Sequence, residues 1–366
     1  MEVRDERMNE LMTIQQSAVY PSVIEAVELP KIIHIGGNLY AAAFTLMKLL
    51  PARHIIERAI AAGDLTPGTP VIETSSGTFA LGLALVCRQR GLPLTIVGDH
   101  SIDDDLRNRL EMLGAEVELV EDHGRPGGIQ GARLARVEEL RRARPESFVP
   151  QQYTNPENPA AYASVGRLVS CTLGPVDSLV GPVGSGGSTY GIASTLRADT
   201  PALRLIGVDT HGSVIFKAPE GPRLLRGLGS SIVPGNVVHT AYDEVHWVGP
   251  GEVFHATHEL YRRHGLFMGP TSGAAFLVAS WWAQRNRDST VLAILPDEGY
   301  RYQSTVYNDA WLRSQNVRPA LPADGPRLVE RPGEGDGSWS RLLWNRRTYD
   351  DVAGASNDLQ TQGSPT

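Results

Sequence analysis

A run of glycines and serines, Gly184-Ser185-Gly186-Gly187-Ser188, is the part of this 366-residue chain best suited to hold an anion. It follows an apolar stretch, Ser178–Val183, that is typical of a buried strand, and precedes a helix-like stretch, Thr189–Leu196. Glycines let backbone amides approach an anion closely, the two serine hydroxyls can donate, and the helix start adds free N–H groups. The pattern predicts a phosphate-binding loop, although a flexible turn would have the same composition.

A second polar turn, Thr74-Ser75-Ser76-Gly77-Thr78, follows a short apolar strand and precedes a helix pattern over Phe79–Arg90. Strand and helix patterns alternate through both halves of the chain, which predicts parallel sheets with crossover helices. Ligands bind such sheets beyond the carboxyl ends of the strands. Because each half carries one polar turn at a strand end, we expect a ligand cleft between the two halves.

Composition limits the possible classes of function. Hydrophobic residues make up 41% of the chain, the net charge is −7 without a basic block, and no apolar run reaches membrane-spanning length. The two cysteines, Cys87 and Cys171, are too few for a disulfide framework or a metal cage. We therefore expect a cytoplasmic enzyme or enzyme-like protein with no metal and with neither nucleic acid nor a membrane as a partner.

Six segments of the chain carry recognisable motifs, namely Ile72–Ala84, Gln152–Pro159, Gly184–Ser188, Gly227–Pro234, Gly269–Ala274 and Leu295–Thr305. Together, and in this order, they resemble motifs of the cysteine synthase and cystathionine β-synthase family, the fold type II enzymes that use pyridoxal 5′-phosphate (PLP). The resemblance implies a two-domain α/β fold like that of the tryptophan synthase β subunit, with parallel sheets flanked by helices. It also implies a homodimer that binds a small amino-acid-like ligand.

The same resemblance implies how the chain is divided. Residues 1–44 would form an N-terminal arm that packs on the large domain, and residues 45–156 a small α/β domain with the substrate loop. Residues 157–315 would form the large α/β domain with the phosphate loop. The remainder, residues 316–366, is rich in Pro, Gly, Asp, Ser and Arg, and we predict that this tail is disordered.

Site roles follow from the positions that match the family's motifs. The cofactor would be bound by Thr78, Gly184, Ser185, Gly186, Gly187, Ser188 and Thr271. The carboxylate of an amino-acid substrate would be bound by Ser75, Ser76, Gly77 and Gln152. Thr271 stands where the family places a hydroxyl against the pyridine nitrogen, which suits β-elimination and β-replacement. Thr78 replaces a family asparagine that contacts the phenolic oxygen of the cofactor.

The lysine that carries PLP in the family lies in the motif N-P-x-G-S-x-K-D-R. When Pro51 and Arg58 are used as anchors, the lysine position is occupied by Ile56, which can neither attach the cofactor nor move a proton. One hypothesis is therefore a degenerate member that keeps a loop for phosphate or PLP. Such a protein would bind PLP without a covalent link, bind another phosphate-bearing ligand, or act as a partner of an active relative.

The alternative hypothesis is an active PLP-dependent β-replacement enzyme that converts an O-activated serine into cysteine or a related amino acid. Only three lysines occur in the chain, Lys31, Lys48 and Lys217. Lys48 is the one near the expected position, and His54 is a candidate acid or base because its ordinary pKa suits proton transfer. The sequence leaves both hypotheses open.

Overall fold

The computed structural model describes residues 19–121, 127–321 and 325–352, and this part of the chain forms two sheets flanked by helices. The strands are β1 Lys31–Gly36, β2 Leu39–Ala43, β3 Val71–Thr74, β4 Leu94–Gly98, β5 Ala115–Leu119, β6 Ser178–Pro182, β7 Arg204–Thr210, β8 Glu244–Val248, β9 Val291–Leu295, β10 Arg327–Leu328 and β11 Ser340–Leu343. The first six helices are α1 Val23–Val27, α2 Leu49–Ala62, α3 Thr78–Arg90, α4 Asp104–Met112, α5 Gly128–Ala143 and α6 Glu157–Ala161. The others are α7 Ala163–Leu173, α8 Gly187–Asp199, α9 Pro250–His264, α10 Pro270–Arg285 and α11 Asp309–Ser314, with 3₁₀ turns at His239–Ala241 and Gly299–Tyr302.

The smaller sheet has three parallel strands in the order β3-β4-β5. Every residue of β3 and β4 is buried, as expected for parallel strands that are covered on both faces. Helices α2 and α3 pack against each other and share one apolar cluster with the sheet. The polar turn Ser75–Gly77 joins β3 to α3, so this sheet positions the predicted substrate loop.

The larger sheet has eight strands in the order β1-β2-β9-β6-β7-β8-β11-β10. Its middle strands, from β2 to β8 in that order, run parallel, while β1 pairs with β2 and β11 with β8 in antiparallel fashion. The hairpin β1–β2 therefore joins the sheet that the second half of the chain builds. The phosphate loop follows β6 in the middle of this sheet, where the carboxyl ends of parallel strands meet.

The C-terminal segment corrects one prediction. Residues 325–352 fold onto the large sheet, so the prediction of a disordered tail is wrong for them. Strand β11 pairs with β8, Trp344 is fully buried against the ring of Phe216, and the indole of Trp339 donates to His246 Nδ1 at 3.0 Å. A few large apolar side chains and one strand pairing suffice here, although the average composition of the segment is polar. Residues 322–324 and 353–366 lie outside the described part.

The predicted fold class, α/β with parallel sheets flanked by helices, is confirmed. The domain limits that the resemblance suggested stay a prediction. Among the helices of the described residues, none combines the length and the apolar character needed to cross a bilayer.

Candidate active site

A cavity of about 470 Å³ lies where loops from both sheets meet. The substrate loop lines it from the small-sheet side, and the loop after β6 and the residues after β9 line it from the large-sheet side. Residues 220–231 and the first turn of α10 complete the wall. The cleft predicted between the two polar turns is therefore present, because both turns follow parallel strands whose carboxyl ends face the same space.

The phosphate loop has the shape that an anion needs. Gly186 adopts a left-handed conformation (φ +84°), and a Cβ on Gly187 would lie 2.2 Å from Asn158 Oδ1, so neither position tolerates a side chain. Helix α8 begins at Gly187, and the amide of Tyr190 is the first to bond within the helix, donating to the Gly186 carbonyl at 3.2 Å. The amides of residues 187–189 thus stay available for an anion.

The loop's predicted residues divide into two groups. Gly184, Ser185 and Ser188 line the cavity, while Gly186 and Gly187 shape the backbone behind it and are not among its lining residues. Two serine hydroxyls and the start of a 13-residue helix form a donor set that suits a phosphate group.

Lys48 brings an amine into this cavity. It lies immediately before α2, and its Nζ donates to Ser185 Oγ at 2.9 Å. The backbone before it is fixed, because the amide of Met47 donates to the Pro296 carbonyl at 2.8 Å. Burial lowers the pKa of Lys48 from 10.5 to about 8. A buried amine with a pKa near 8 is partly neutral at physiological pH and can act as a nucleophile or base.

Ile56 lies away from the cavity, so the structure does not support the prediction that it stands at the lysine position. It lies in α2, about 12 Å along the helix axis from Lys48 at 1.5 Å per residue. Its side chain is fully buried in the apolar cluster between α2, α3 and the small sheet, and it does not line the cavity. The anchors Pro51 and Arg58 both lie inside α2, so aligning on them moved the motif two turns into the helix.

His54 also lies away from the cavity. Its Nε2 is 2.8 Å from Glu157 Oε2 in a partly exposed pair on the side of α2. It is not among the residues that line the cavity, so the structure does not support its candidacy as acid or base.

The substrate loop is fixed by hydrogen bonds to its own helix and to its neighbours. Ser75 Oγ accepts from the amides of Gly77 and Ala80 at 3.3 and 3.1 Å, which holds the loop against the first turn of α3. Ser76 Oγ donates to Asp99 Oδ2 at 2.9 Å. Ser75, Ser76, Gly77 and Thr78 all line the cavity, so the start of α3 faces it and suits a carboxylate.

Gln152 joins the substrate loop to the phosphate loop. Its side-chain amide donates to the Thr74 carbonyl at 2.6 Å, and its backbone amide donates to the buried Glu73 at 3.1 Å. Its own carbonyl accepts from Asn158 and Asn236 at 2.6 and 3.1 Å. Gln152 lines the cavity as predicted, but its functional groups are largely engaged in holding the two loops together.

Thr271 lies in the first turn of α10 and lines the cavity beside two residues that the sequence did not indicate, Asp297 and Tyr302. Its hydroxyl donates to Asp297 Oδ1 at 3.4 Å. Both missed residues belong to the segment Leu295–Thr305 that carried the resemblance, so the motif itself was the available signal.

The cavity wall also carries charges, and apart from Lys48 the sequence analysis missed them. Five basic and three acidic side chains line it, namely Lys48, Arg133, Arg223, Arg226, Arg301, Asp99, Glu220 and Asp297. Arg133 is almost fully buried, its Nη1 lies 3.2 Å from Asp99 Oδ2, and its Nε has no hydrogen-bond partner. A basic excess in the cleft of a chain with net charge −7 favours anionic ligands.

The residues present fit PLP. The cavity has a lysine amine for the aldehyde of that molecule, a phosphate-binding helix start for its phosphate, and the Thr271 hydroxyl for its ring nitrogen. Within the described ranges, no group of three His, Cys, Asp or Glu side chains is arranged to hold a metal ion.

Comparison with known proteins agrees with this geometry. The family described as pyridoxal-phosphate dependent enzyme matches residues 47–297, which is more than half of the chain. The chain belongs to this family. PLP is therefore its cofactor, and the resemblance to fold type II enzymes is confirmed.

Two relatives carry the same name, N-(2-amino-2-carboxyethyl)-L-glutamate synthase. The protein of Ralstonia nicotianae is 38% identical over 284 residues, covering 76% of this chain and 84% of its own length. That of Cupriavidus metallidurans is 34% identical over 319 residues, covering 82% of this chain and 94% of its own length. Among solved structures, O-acetylserine dependent cystathionine β-synthase of Helicobacter pylori superposes with a TM-score of 0.74 at 29% identity, covering 79% of this chain and 99% of that one.

Proposed function

We propose that this chain is an active PLP-dependent synthase in which Lys48 attaches the cofactor. The observation that carries the proposal is the partly buried Lys48 amine at 2.9 Å from the hydroxyl of Ser185 in the phosphate loop. The hypothesis of a degenerate member depended on Ile56, which lies in the apolar core and not at the cavity. With Lys48 in place, the lysine-dependent chemistry of the family has the group it requires.

Each wall of the cavity has a distinct task in this proposal. The phosphate loop would hold the cofactor phosphate, and the start of α3 with Ser75–Gly77 would hold the substrate α-carboxylate. Bound PLP supplies stabilisation of negative charge at the substrate α-carbon. The Lys48 amine, once it is free, removes the α-proton and can return it at the end, because its lowered pKa makes it an effective base near neutral pH.

For the substrates, we propose an amino acid with a leaving group on its β-carbon and an amino-acid amine as nucleophile, with L-glutamate as the first candidate. The C–O bond to the leaving group breaks with its electron pair remaining on oxygen. A C–N bond then forms between the β-carbon and the amine, which loses one proton. The name of the two relatives describes the product of this reaction with glutamate.

The charge of the cavity supports such substrates. A serine derivative with an anionic leaving group and a dicarboxylic nucleophile would together bring several negative charges into one cleft. The basic residues Arg133, Arg223, Arg226 and Arg301 line that cleft and outnumber its acidic residues. Interactions between these guanidinium groups and carboxylate or phosphate groups are favourable in a partly buried site.

The attachment of PLP tests the proposal most directly. Purified protein is loaded with PLP, reduced with borohydride and digested, and the modified peptide is located by mass spectrometry. We expect the pyridoxyl group on Lys48 in the wild type and in Lys217→Ala, and no modified peptide in Lys48→Ala. Lys217 is a suitable control because its Nζ donates to the Val352 carbonyl and it does not line the cavity. Label on Lys217, or on none of the lysines, would refute the proposal.

The reaction is tested by incubating the loaded enzyme with O-phospho-L-serine or O-acetyl-L-serine and one nucleophile at a time. L-Glutamate, L-aspartate, L-glutamine and sulfide form a series in which charge and nucleophile type change separately. We expect the glutamate adduct by mass spectrometry, with turnover falling by at least tenfold when L-glutamine removes one carboxylate. Cysteine formed from sulfide, without any amine adduct, would instead assign a cysteine synthase.

We also propose that the protein is a cytoplasmic homodimer, as the family resemblance implies. Light scattering coupled to gel filtration measures the mass of the particle, and fractionation of the cells that make the protein tests its location. A monomeric mass at micromolar concentration would refute the dimer.

A further inference from the structure

A buried carboxylate in the wall of the cavity has no role in the function proposed so far. Asp297 follows β9, is 5% exposed and lines the cavity. Its Oδ2 accepts a hydrogen bond from the hydroxyl of Tyr302 at 2.8 Å, and its Oδ1 accepts one from the hydroxyl of Thr271 at 3.4 Å. The three side chains form a chain of hydrogen bonds that ends at Thr271.

The position of Asp297 is fixed by its surroundings. Its backbone carbonyl accepts from the amide of Gly269 at 2.9 Å, which ties it to the start of α10. A Cβ on Gly269 would lie 2.5 Å from Asp297 Oδ1, so α10 approaches the carboxylate as closely as a glycine allows. The carboxylate therefore has little freedom to turn away from Thr271.

The charged and titratable groups near Asp297 come from several elements. They are Arg301, Glu298 and Tyr302 in the segment after β9, Tyr307 beyond it, and Lys48, whose neighbour Met47 bonds to the Pro296 carbonyl. Burial raises the pKa of Asp297 to about 6, while the bond from Tyr302 and the charge of Arg301 act in the opposite direction. Burial also raises the pKa of Tyr302 far above its usual value, so this hydroxyl always donates.

The protonation of Asp297 decides what Thr271 offers to the cavity. An ionised carboxylate has acceptors only, so it takes the hydroxyl hydrogen of Thr271 and leaves an oxygen lone pair toward the cavity. A protonated carboxyl can place its hydrogen on Oδ1, because Oδ2 already accepts from Tyr302. It then donates to Thr271, whose own hydrogen becomes free for a ligand.

We propose that Asp297 is a positioning residue that decides, through Thr271, whether the site accepts a hydrogen bond from the ring nitrogen of the cofactor or donates one to it. The inference rests on the proposed function, because it takes PLP to be held with its ring toward Thr271. Ionised Asp297 favours a protonated ring nitrogen, and protonated Asp297 favours an unprotonated one. The substitution Asp297→Asn fixes the second arrangement, because its amide nitrogen can only donate to Thr271 while its oxygen accepts from Tyr302.

The experiment uses 4′-deoxypyridoxine 5′-phosphate, which keeps the ring nitrogen and the phosphate but lacks the aldehyde. Its binding does not depend on Lys48, so it separates this inference from covalent attachment. The ultraviolet absorbance of the bound ligand reports the protonation of its ring nitrogen during a pH titration. We expect the ring nitrogen in Asp297→Asn to bind its proton about tenfold more weakly than in the wild type, one pKa unit lower.

Asp209→Asn is the matched control. Asp209 is a fully buried carboxylate whose pKa burial also raises, to about 7, but it does not line the cavity. This variant should leave the titration of the bound ligand unchanged. Thr271→Val removes the hydroxyl while keeping Asp297. In this variant the protonation of Asp297 should no longer affect that of the ligand's ring nitrogen, which tests the inference even if Asp297→Asn folds poorly.

The possible outcomes separate the two ideas. Equal ring-nitrogen titrations in the wild type, Asp297→Asn and Thr271→Val would overturn the role of Asp297 while leaving PLP binding intact. An equal shift in Asp209→Asn would overturn it as well, because the effect would then be a general one of removing a buried charge. Failure of the wild type to bind the ligand at all would overturn the proposed function, and this inference with it.

Discussion

The pH at which the apoenzyme takes up PLP follows from the burial of Lys48. Covalent attachment requires a neutral amine, and burial lowers the pKa of this lysine from 10.5 to about 8. At pH 7 about one Lys48 in ten is then neutral, against about one in three thousand for a lysine with the ordinary value. The protein thus supplies about 300 times more reactive amine at pH 7 than an exposed lysine would.

Stopped-flow absorbance measures this effect. Apoenzyme is mixed with excess PLP between pH 6 and pH 10.5, and Nα-acetyl-lysine under the same conditions gives the pH dependence of an ordinary amine. The useful quantity is the rate constant of the enzyme divided by the neutral fraction of Nα-acetyl-lysine at the same pH. We expect this ratio to be largest at pH 6 and to decline above pH 8. The enzyme's own rate should rise about tenfold per pH unit below pH 8 and then level off.

Two results would refute this reasoning. A rate that keeps rising to pH 10 in parallel with Nα-acetyl-lysine would mean that the amine is solvated and ordinary. Uptake at an unchanged rate in Lys48→Ala would mean that another group reacts. Ser185→Ala is a further control, because it removes the hydroxyl 2.9 Å from the amine but leaves Lys48 buried, so the pH at which the rate levels off should stay near 8.

Three other predictions follow from the packing. Ile56→Ala should lower the free energy of unfolding by about 2–5 kcal/mol in urea titrations, because it leaves a cavity at a fully buried position. The PLP absorbance should stay unchanged, and loss of PLP from a folded variant would contradict this. Gly187→Ala should weaken PLP binding at least tenfold in equilibrium titrations, since its Cβ would lie 2.2 Å from Asn158 Oδ1, and wild-type affinity would show that the loop can relax. Trp344→Ala should lower the free energy of unfolding by about 3–5 kcal/mol in the same urea titrations without changing the affinity for PLP. A free energy of unfolding within about 1 kcal/mol of the wild type would mean that the C-terminal segment contributes little to stability.

The sequence predicted most of the fold because its local signals agree with the tertiary structure. The helix pattern over Phe79–Arg90 is observed as α3, Thr78–Arg90, and Gly91 closes it in a left-handed conformation. The start of a helix is less predictable, as α4 shows, since it spans Asp104–Met112 although Ser101 also has a side chain suited to a cap. Two residues competed for its cap, and the side chain of Asp103, not that of Ser101, accepts from the amide of Leu106.

The motif pointed to Ile56 and not to Lys48 for a physical reason. Local pattern does not indicate where α2 begins relative to the cavity, because Ile55 and Ile56 continue the same apolar helix that starts at Leu49. What fixes Lys48 is the pairing of β2 with β9 and the bond from the Met47 amide to the Pro296 carbonyl, which joins residues far apart in sequence. The chain has only three lysines, and this rarity was the sequence signal that favoured Lys48.

The charges of the cavity wall could not have been predicted either, because they too depend on contacts between residues far apart in sequence. Arg133 lies on α5, an arginine-rich helix that by composition is typical of a solvent-exposed face, and tertiary packing alone buries this one side chain beside Asp99. The C-terminal segment shows the complementary case. Its polar average concealed Trp339 and Trp344, whose burial depends on a strand that lies about ninety residues earlier.

The pairing of β2 with β9 also determines when the large sheet can form during protein synthesis. Tyr40 pairs with Leu292, so a strand that leaves the ribosome early waits for a partner made about 250 residues later. At synthesis rates of about 5–20 residues per second, that wait lasts roughly 12 to 50 s. During this time Lys48 has no Pro296 to hold its backbone and no closed cavity around its amine. A nascent chain should therefore carry no PLP until β9 has been translated, so cofactor capture depends on completion of the large sheet.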